Sequence, residues 1–164
     1  MMVLSGASSY IGVFYPLQTF SKEKRINFSD IPICIEGNTV ENEEKLLQLA
    51  RLISRKVLPL DSAQRKVLHM TAVFACNFSS FMYTIAEDLL KKHNIPFSLL
   101  KPLIQQTASL ARHEDVFSRQ TGPAVRGDSK IMEEHLEMLA KHGVYMEIYD
   151  LISKSIIKHK HKND

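Results

Sequence analysis

The run from Asp61 to Asn94 constrains this chain more than any other feature. It reads as one long helix, and apolar side chains lie on most of its sides from Val67 to Ile85. About thirty residues at ~1.5 Å each make a rod of ~45–50 Å. A helix that is apolar nearly all round is expected to be surrounded by protein. Asp61 or Ser62 can cap its start by accepting a bond from a free backbone N–H. Asn94-Ile95-Pro96 ends it, because the residue before a proline disfavours the helical region.

More helix follows. A second helix is expected after Ser98, with Pro102 in the first turn, where its missing N–H would have had no partner, and it runs to about His113. Asp128 or Ser129 caps a third, with Ile131, Met132, Leu136 and Leu139 on one face, and Gly143 after Lys141-His142 is its expected C-cap. The last helix carries Tyr145, Ile148, Ile152 and Ile156 on one stripe. Residues 1–60 differ: Ile11–Tyr15, Ile31–Ile35 and Lys56–Leu60 read as short strands, and Asn42–Ser54 as a helix between them. Strands interleaved with one helix read as the edge of an α/β sheet, a layer that buries little by itself. The expected division is 1–60 and 61–164, the whole being mainly α.

Composition excludes several function classes. The 21 basic and 18 acidic residues are spread along the chain, apart from a basic end at Lys154, Lys158, Lys160 and Lys162. A nucleic-acid surface concentrates its cations and interleaves aromatics, so no nucleic-acid partner is expected. No apolar run reaches the ~18–20 residues of a membrane span, and no positive region precedes the first apolar residues, so a cytoplasmic protein is expected. Cys34 and Cys76 read as small buried hydrophobes without metal-ligand spacing. His113-Glu114-Asp115, His135 with His142, and His159-Lys160-His161 lack the ligand count of a dedicated metal site, so no metal is expected and solvated surface is.

Two places carry candidate chemistry. His69 shares a helical face with Val73 and Cys76, while Asn77 lies ~80° round the helix and about 12 Å further along, so the two can line one groove without touching. Histidine is a natural proton donor at neutral pH for reducing a carbonyl or imine, and asparagine can orient a substrate. A histidine satisfied inside the core is the competing reading of His69. The second place is the loop Thr121-Gly122-Pro123-Ala124-Val125-Arg126-Gly127-Asp128, which offers backbone N–H groups at a helix start and one guanidinium, and so suits a small anionic substrate. An interhelical turn in which Arg126 pairs with Asp128 or Glu133 is equally compatible with the spacing.

Tyr15-Pro16-Leu17-Gln18-Thr19-Phe20-Ser21, the His69–Asn77 helix and the Thr121–Asp128 loop occur in an order that resembles the Rossmann-like proteins whose helical C-terminal half is domain of unknown function 2520. These resemble NADP-dependent oxidoreductases of the pyrroline-5-carboxylate reductase and 6-phosphogluconate dehydrogenase group. The resemblance implies that residues 1–60 are the last strands of a Rossmann-like nucleotide-binding domain. It implies that 61–164 are the helical 6-phosphogluconate-dehydrogenase C-terminal-like domain that binds substrate and forms a homodimer. It places Tyr15, Pro16 and Gln18 near the cofactor, with Tyr15 where a His-Pro-Leu segment has histidine. It likens Thr121-Gly122-Pro123 to the Ser-Pro-Gly-Gly substrate and dimer loop of the pyrroline reductases. Val73 stands four residues before Asn77, where related hydroxyacid dehydrogenases carry lysine, which leaves His69 as the proton donor on this helix. No Gly-x-Gly-x-x-Gly turn is present, so the nucleotide-binding half is expected to be largely missing, as in a shortened gene product, a split gene or a misplaced start, and the chain to be inactive alone. The alternative is a non-enzymatic helical interaction module.

Overall fold

The computed structural model describes residue 6 and residues 8–20, 26–112 and 115–163. Ser21, His113 and Glu114 of the segments singled out above lie outside the described residues. The protein is mostly helical with a small three-stranded mixed sheet near its N-terminus, and it falls into two compact units, Met1–Ser80 and Phe81–Asp164.

The first unit holds β1 (Gly12–Pro16), β2 (Ile33–Gly37), α1 (Val40–Arg51), β3 (Val57–Pro59), α2 (Ser62–Ala72) and a π-helical segment (Val73–Phe78). β2 is the central strand, antiparallel to β1 and parallel to β3. Side chains alternate across a sheet, and here the alternation sorts them cleanly. Ile33 and Ile35 face α1 and, with Ala50, form the fully buried core, against which Phe14, Leu46, Leu47 and Val57 pack. Cys34 and Glu36 face the other way, and Tyr15, register partner of Cys34, shares their face. Cys34 is as fully buried as its neighbours, so β2 is covered on both sides.

The local signals explain the helices. Thr39 caps α1 by accepting from Asn42 N, with Glu41 and Glu43 in the first turn and Arg51 in the last, as the helix dipole favours. Asp61 caps α2 in a full capping box: Asp61 accepts from Gln64 N at 2.8 Å, and the Gln64 side chain accepts from Asp61 N at 3.0 Å. The Ser54 hydroxyl, buried, donates to Ile31 O at 2.6 Å and accepts from Lys56 N, tying the α1–β3 connection to the strand before it.

The second unit holds most of α3 (Ser79–Lys92), then α4 (Lys101–Leu110), the one-turn α5 (Pro123–Arg126), α6 (Ser129–Leu139) and α7 (Gly143–Asn163). Asn94, at φ 55°, ends the α3 turn in the left-handed region, and Ile95 N reaches back to Leu90 O. Pro102 sits in the first turn of α4. That helix ends at Leu110, short of the expected His113. Asp128 caps α6 by accepting from Ile131 N at 3.3 Å. Gly143 does not end α6: Ala140 is the C-cap, and Gly143 opens α7, where the His142 carbonyl accepts from Tyr145 N and Met146 N. The left-handed glycines are Gly122 and Gly127, which bracket α5.

One expectation about packing fails within this chain. Val67, Met70 and Phe74 of the long apolar helix are 57 %, 54 % and 64 % exposed, and Cys76 is exposed rather than buried. A residue advances ~100° per step, so Val67, Met70 and Phe74 form a stripe about opposite to Ser62, Arg65 and His69. The second face is the one bonded to the sheet, through Glu36 and Tyr15.

Candidate functional site

Glu36 and Arg65 join the sheet to α2. Arg65 Nη1 donates to Glu36 Oε2 at 2.6 Å, Ser62 Oγ donates to the same oxygen at 2.8 Å, and the two paired side chains are only 13 % and 17 % exposed. Burial pushes the Glu36 carboxyl up, but the Arg65 and Ser62 hydrogen bonds and the Arg65 charge outweigh it and hold the group below its ordinary value. Burial likewise pushes the Cys34 thiol up, opposed in part by Arg65. Neither Glu36 nor Arg65 stood out in the sequence. The available signal was positional: Glu36 has the parity of Cys34 on β2, and Arg65 falls on the same helical face as Ser62.

That clasp sets the next contact along the same face. His69, four residues after Arg65, meets Tyr15 of β1, with Tyr15 Oη 3.2 Å from His69 Nδ1. His69 is therefore not a core histidine, since it is exposed and its ring nitrogen is held by a phenol from 54 residues away. Tyr15 and His69 line one cavity of about 590 Å³ together with Gln18, Thr19, Thr71, Cys76 and Asn77, and Leu17, Leu68 and Val73 supply its apolar walls. The π-helical segment carries Asn77, and such insertions cluster at functional sites. Pro16, though next to Tyr15, is not among the lining residues. It closes β1 opposite Ile33, and its carbonyl accepts from Gln18 N at 3.1 Å, turning the chain so that Gln18 reaches the cavity. The Gln18 amide oxygen accepts from Thr19 N.

No lysine or arginine is among the residues lining this cavity. It suits a neutral polar group beside an aromatic ring, such as a carboxamide, and offers nothing to hold a pyrophosphate. Among the described residues there is no cluster of three or more histidine, cysteine, aspartate or glutamate side chains placed to hold a metal ion. No described helix is long and apolar enough to cross a membrane.

The Thr121–Asp128 segment belongs to the second unit and serves two ends. Thr121, Gly122 and Pro123, with Ala124, line a cavity of about 290 Å³ whose other walls are mostly apolar: Met82, Ile85, Leu89, Ile148, Ile152 and Ile156 among them. Arg126 and Asp128 are not part of that lining. Asp128 caps α6, Arg126 is exposed, and no ion pair joins Arg126 to Asp128 or Glu133 among the described residues. Tyr145 and Tyr149 border the apolar cavity with their hydroxyls engaged, Tyr145 donating to Asp88 at 2.8 Å and Tyr149 bonded to His135 Nδ1 at 2.8 Å. The Asp88 bond raises the Tyr145 phenol above its ordinary range. Of the basic tail, His159 and His161 are exposed as expected, with the His159 ring against Phe117, and the half-buried Lys160 donates from Nζ to Val125 O at 3.0 Å.

Known proteins place the chain at this point. Residues 31–156 match the family described as Domain of unknown function (DUF2520), and the chain belongs to that family. Among solved structures it is similar to the "putative NADP oxidoreductase BF3122" from Bacteroides fragilis, with 43% sequence identity and a TM-score of 0.91 over 96% of this chain. It is also similar to the protein TM1727 from Thermotoga maritima, at 22% identity and a TM-score of 0.75 over 93% of this chain, which shows a shared fold. The chain spans 61% of the first of those chains and 62% of the second. No curated protein matches.

Proposed function

We propose that this chain is the substrate-binding and dimerisation part of a cytoplasmic NADP-dependent oxidoreductase related to pyrroline-5-carboxylate reductase and 6-phosphogluconate dehydrogenase. The observation that carries the proposal is the Tyr15–His69 pair at 3.2 Å inside a cavity that Gln18 and Asn77 also line. The likeness to the Bacteroides protein supports the same reading.

In this reading Tyr15, Leu17 and Gln18 border the nicotinamide end of the cofactor, whose chemistry when bound is hydride donation. The cavity fits that end by its aromatic and amide groups. Its lack of lysine and arginine leaves the phosphates to be held by groups outside this lining. His69 gives a proton to the oxygen or nitrogen of the substrate's double bond as its carbon is reduced, a contribution typically worth ~10²–10⁴-fold in rate. Asn77 orients that double bond by hydrogen bonding. Arg126, exposed on the α5 turn of the second unit, is proposed on its own as a contact for a small anionic group. Thr121, Gly122 and Pro123 border the apolar cavity of that second unit, proposed as a separate place for an apolar ligand group.

The homodimer belongs to the same proposal. Val67, Met70 and Phe74 present an uncharged, exposed stripe on the helix face turned from the sheet, and a second copy covers it. The same stripe supports the alternative, a non-enzymatic helical interaction module, and one experiment separates the two. Cys76 is exposed and lines the cavity, whereas Cys34 is buried. Alkylation of Cys76 in the chain joined to a nucleotide-binding half, located by mass spectrometry, is expected to slow when NADPH is added. Labelling at an unchanged rate under saturating NADPH favours the interaction module.

A further inference from the structure

We propose that Tyr15 is a positioning residue for His69, fixing which imidazole nitrogen faces the cavity. Its catalytic consequence rests on the oxidoreductase reading, but the positioning itself does not. Tyr15 sits on β1 with the parity of Cys34, and His69 sits on α2 on the face of Ser62 and Arg65. The Glu36–Arg65–Ser62 clasp therefore holds the two elements in the register that brings the phenol to Nδ1. A hydroxyl is both donor and acceptor. It donates to Nδ1 when the imidazole is neutral, which puts the ring proton on Nε2, and it accepts from Nδ1–H when the ring is charged. The ring thus keeps one orientation in both protonation states, and Nε2 is the nitrogen left to exchange protons in the cavity. When the charged ring gives its Nε2 proton to the substrate's oxygen or nitrogen, Nδ1–H is still bonded to Tyr15, and water returns a proton to Nε2 afterwards.

The test is ¹⁵N spectroscopy of histidine-labelled protein. In the native chain with the ring neutral, His69 is expected as a single Nε2–H tautomer, with Nδ1 shifted as a hydrogen-bond acceptor. In Tyr15→Phe both tautomers are expected and that shift is lost. Should Tyr15→Phe not fold, fluorotyrosine at position 15 keeps the ring and strengthens the donor, and the Nδ1 shift is expected to grow. A His69 spectrum that neither change alters overturns the proposal. In a native product that turns over NADPH, Tyr15→Phe is expected to lower kcat about tenfold, or ~1.4 kcal/mol, with KM little changed. A tautomer change in Tyr15→Phe together with full activity in His69→Gln would uphold the positioning and refute His69 as the proton donor, whereas the same tautomer change in a protein that never turns over NADPH would uphold the positioning and count against the oxidoreductase reading.

Discussion

The two units of this protein spend their apolar residues differently. In the first, Ile33, Cys34, Ile35 and Ala50 are all at or within 1 % of complete burial. In the second, the buried apolar residues among those described are Ala124 and Leu139; exposed apolar residues occur in both, Leu52 at 81 % and Phe74 at 64 % in the first and Met138 at 72 % and Leu151 at 68 % in the second. A central strand covered on both faces completes its core from a few local elements. Helices with apolar residues on several sides cannot do so, and they leave surface for a partner. The candidate chemistry follows the first pattern: Tyr15 and His69 meet because a tightly packed sheet carries one and an ion-paired helix carries the other.

The contrast can be broken at the core. Ile33→Ala removes a fully buried side chain and is expected to cost about 4 kcal/mol, whereas Leu139→Ala, where the neighbourhood is open enough to collapse, is expected to cost about 2 kcal/mol. Chemical denaturation of each variant, followed by a probe in its own unit, measures both. Equal losses would mean that the second unit is as tightly packed as the first.

Next in size is the clasp. Arg65→Ala leaves Glu36 without its cation at a largely covered position, and a loss of about 3 kcal/mol is expected. The sign with pH follows from the lowered Glu36 value. A carboxylate with a depressed folded pKa contributes its full stability above its unfolded value, and the contribution is lost as pH falls through the folded value. Acid unfolding of the native chain is therefore expected to show a steeper stability loss below the ordinary glutamate range than Arg65→Ala does. Parallel curves would remove Glu36 from the account.

Gly37→Ala tests how closely α1 sits on the sheet. A methyl group there would meet the Glu43 backbone, which cannot swing aside as a flexible side chain could. A loss of about 1–3 kcal/mol is expected. The smallest effect on folding is predicted for Phe74→Glu, about 1 kcal/mol, since the ring is exposed and what the variant loses is its edge contact with Phe78. Its consequence is expected in assembly instead: sedimentation should show a dimer for the native chain and a monomer for the variant. A native monomer at micromolar concentration would refute the dimer.

Much of this fold could be read from local chemistry. Asp61, Asp128 and Pro102 each mark a helix start for a reason that needs no tertiary information, and the structure uses all three. β2 begins at Ile33 rather than Ile31, just beyond Pro32, which has no N–H to give to a ladder. Gly143 misled because glycine suits both a helix end and a helix start, and only the reversal at His142 decides between them. The π segment leaves no trace in the sequence, because a helix apolar on most of its sides shows no break in its pattern where the winding widens. Cys76 looked buried because its neighbours are apolar, but burial depends on what covers a helix. Of the site, the residue types His69, Asn77 and Gln18 were legible, and their convergence with Tyr15 was not. That meeting requires the strand register and the Glu36–Arg65 clasp, both of which are long-range. Arg126 and Asp128 were legible as a charged loop, yet Asp128 is occupied as a cap.

The measurement that bears most directly on the central claim is NADPH turnover by this chain joined to a nucleotide-binding half, assayed against carbonyl compounds and cyclic imines, with His69→Gln beside it. The account predicts measurable oxidation of NADPH, reduced at least ~100-fold in His69→Gln through kcat while the fold is retained. Turnover that survives His69→Gln unchanged would contradict the account.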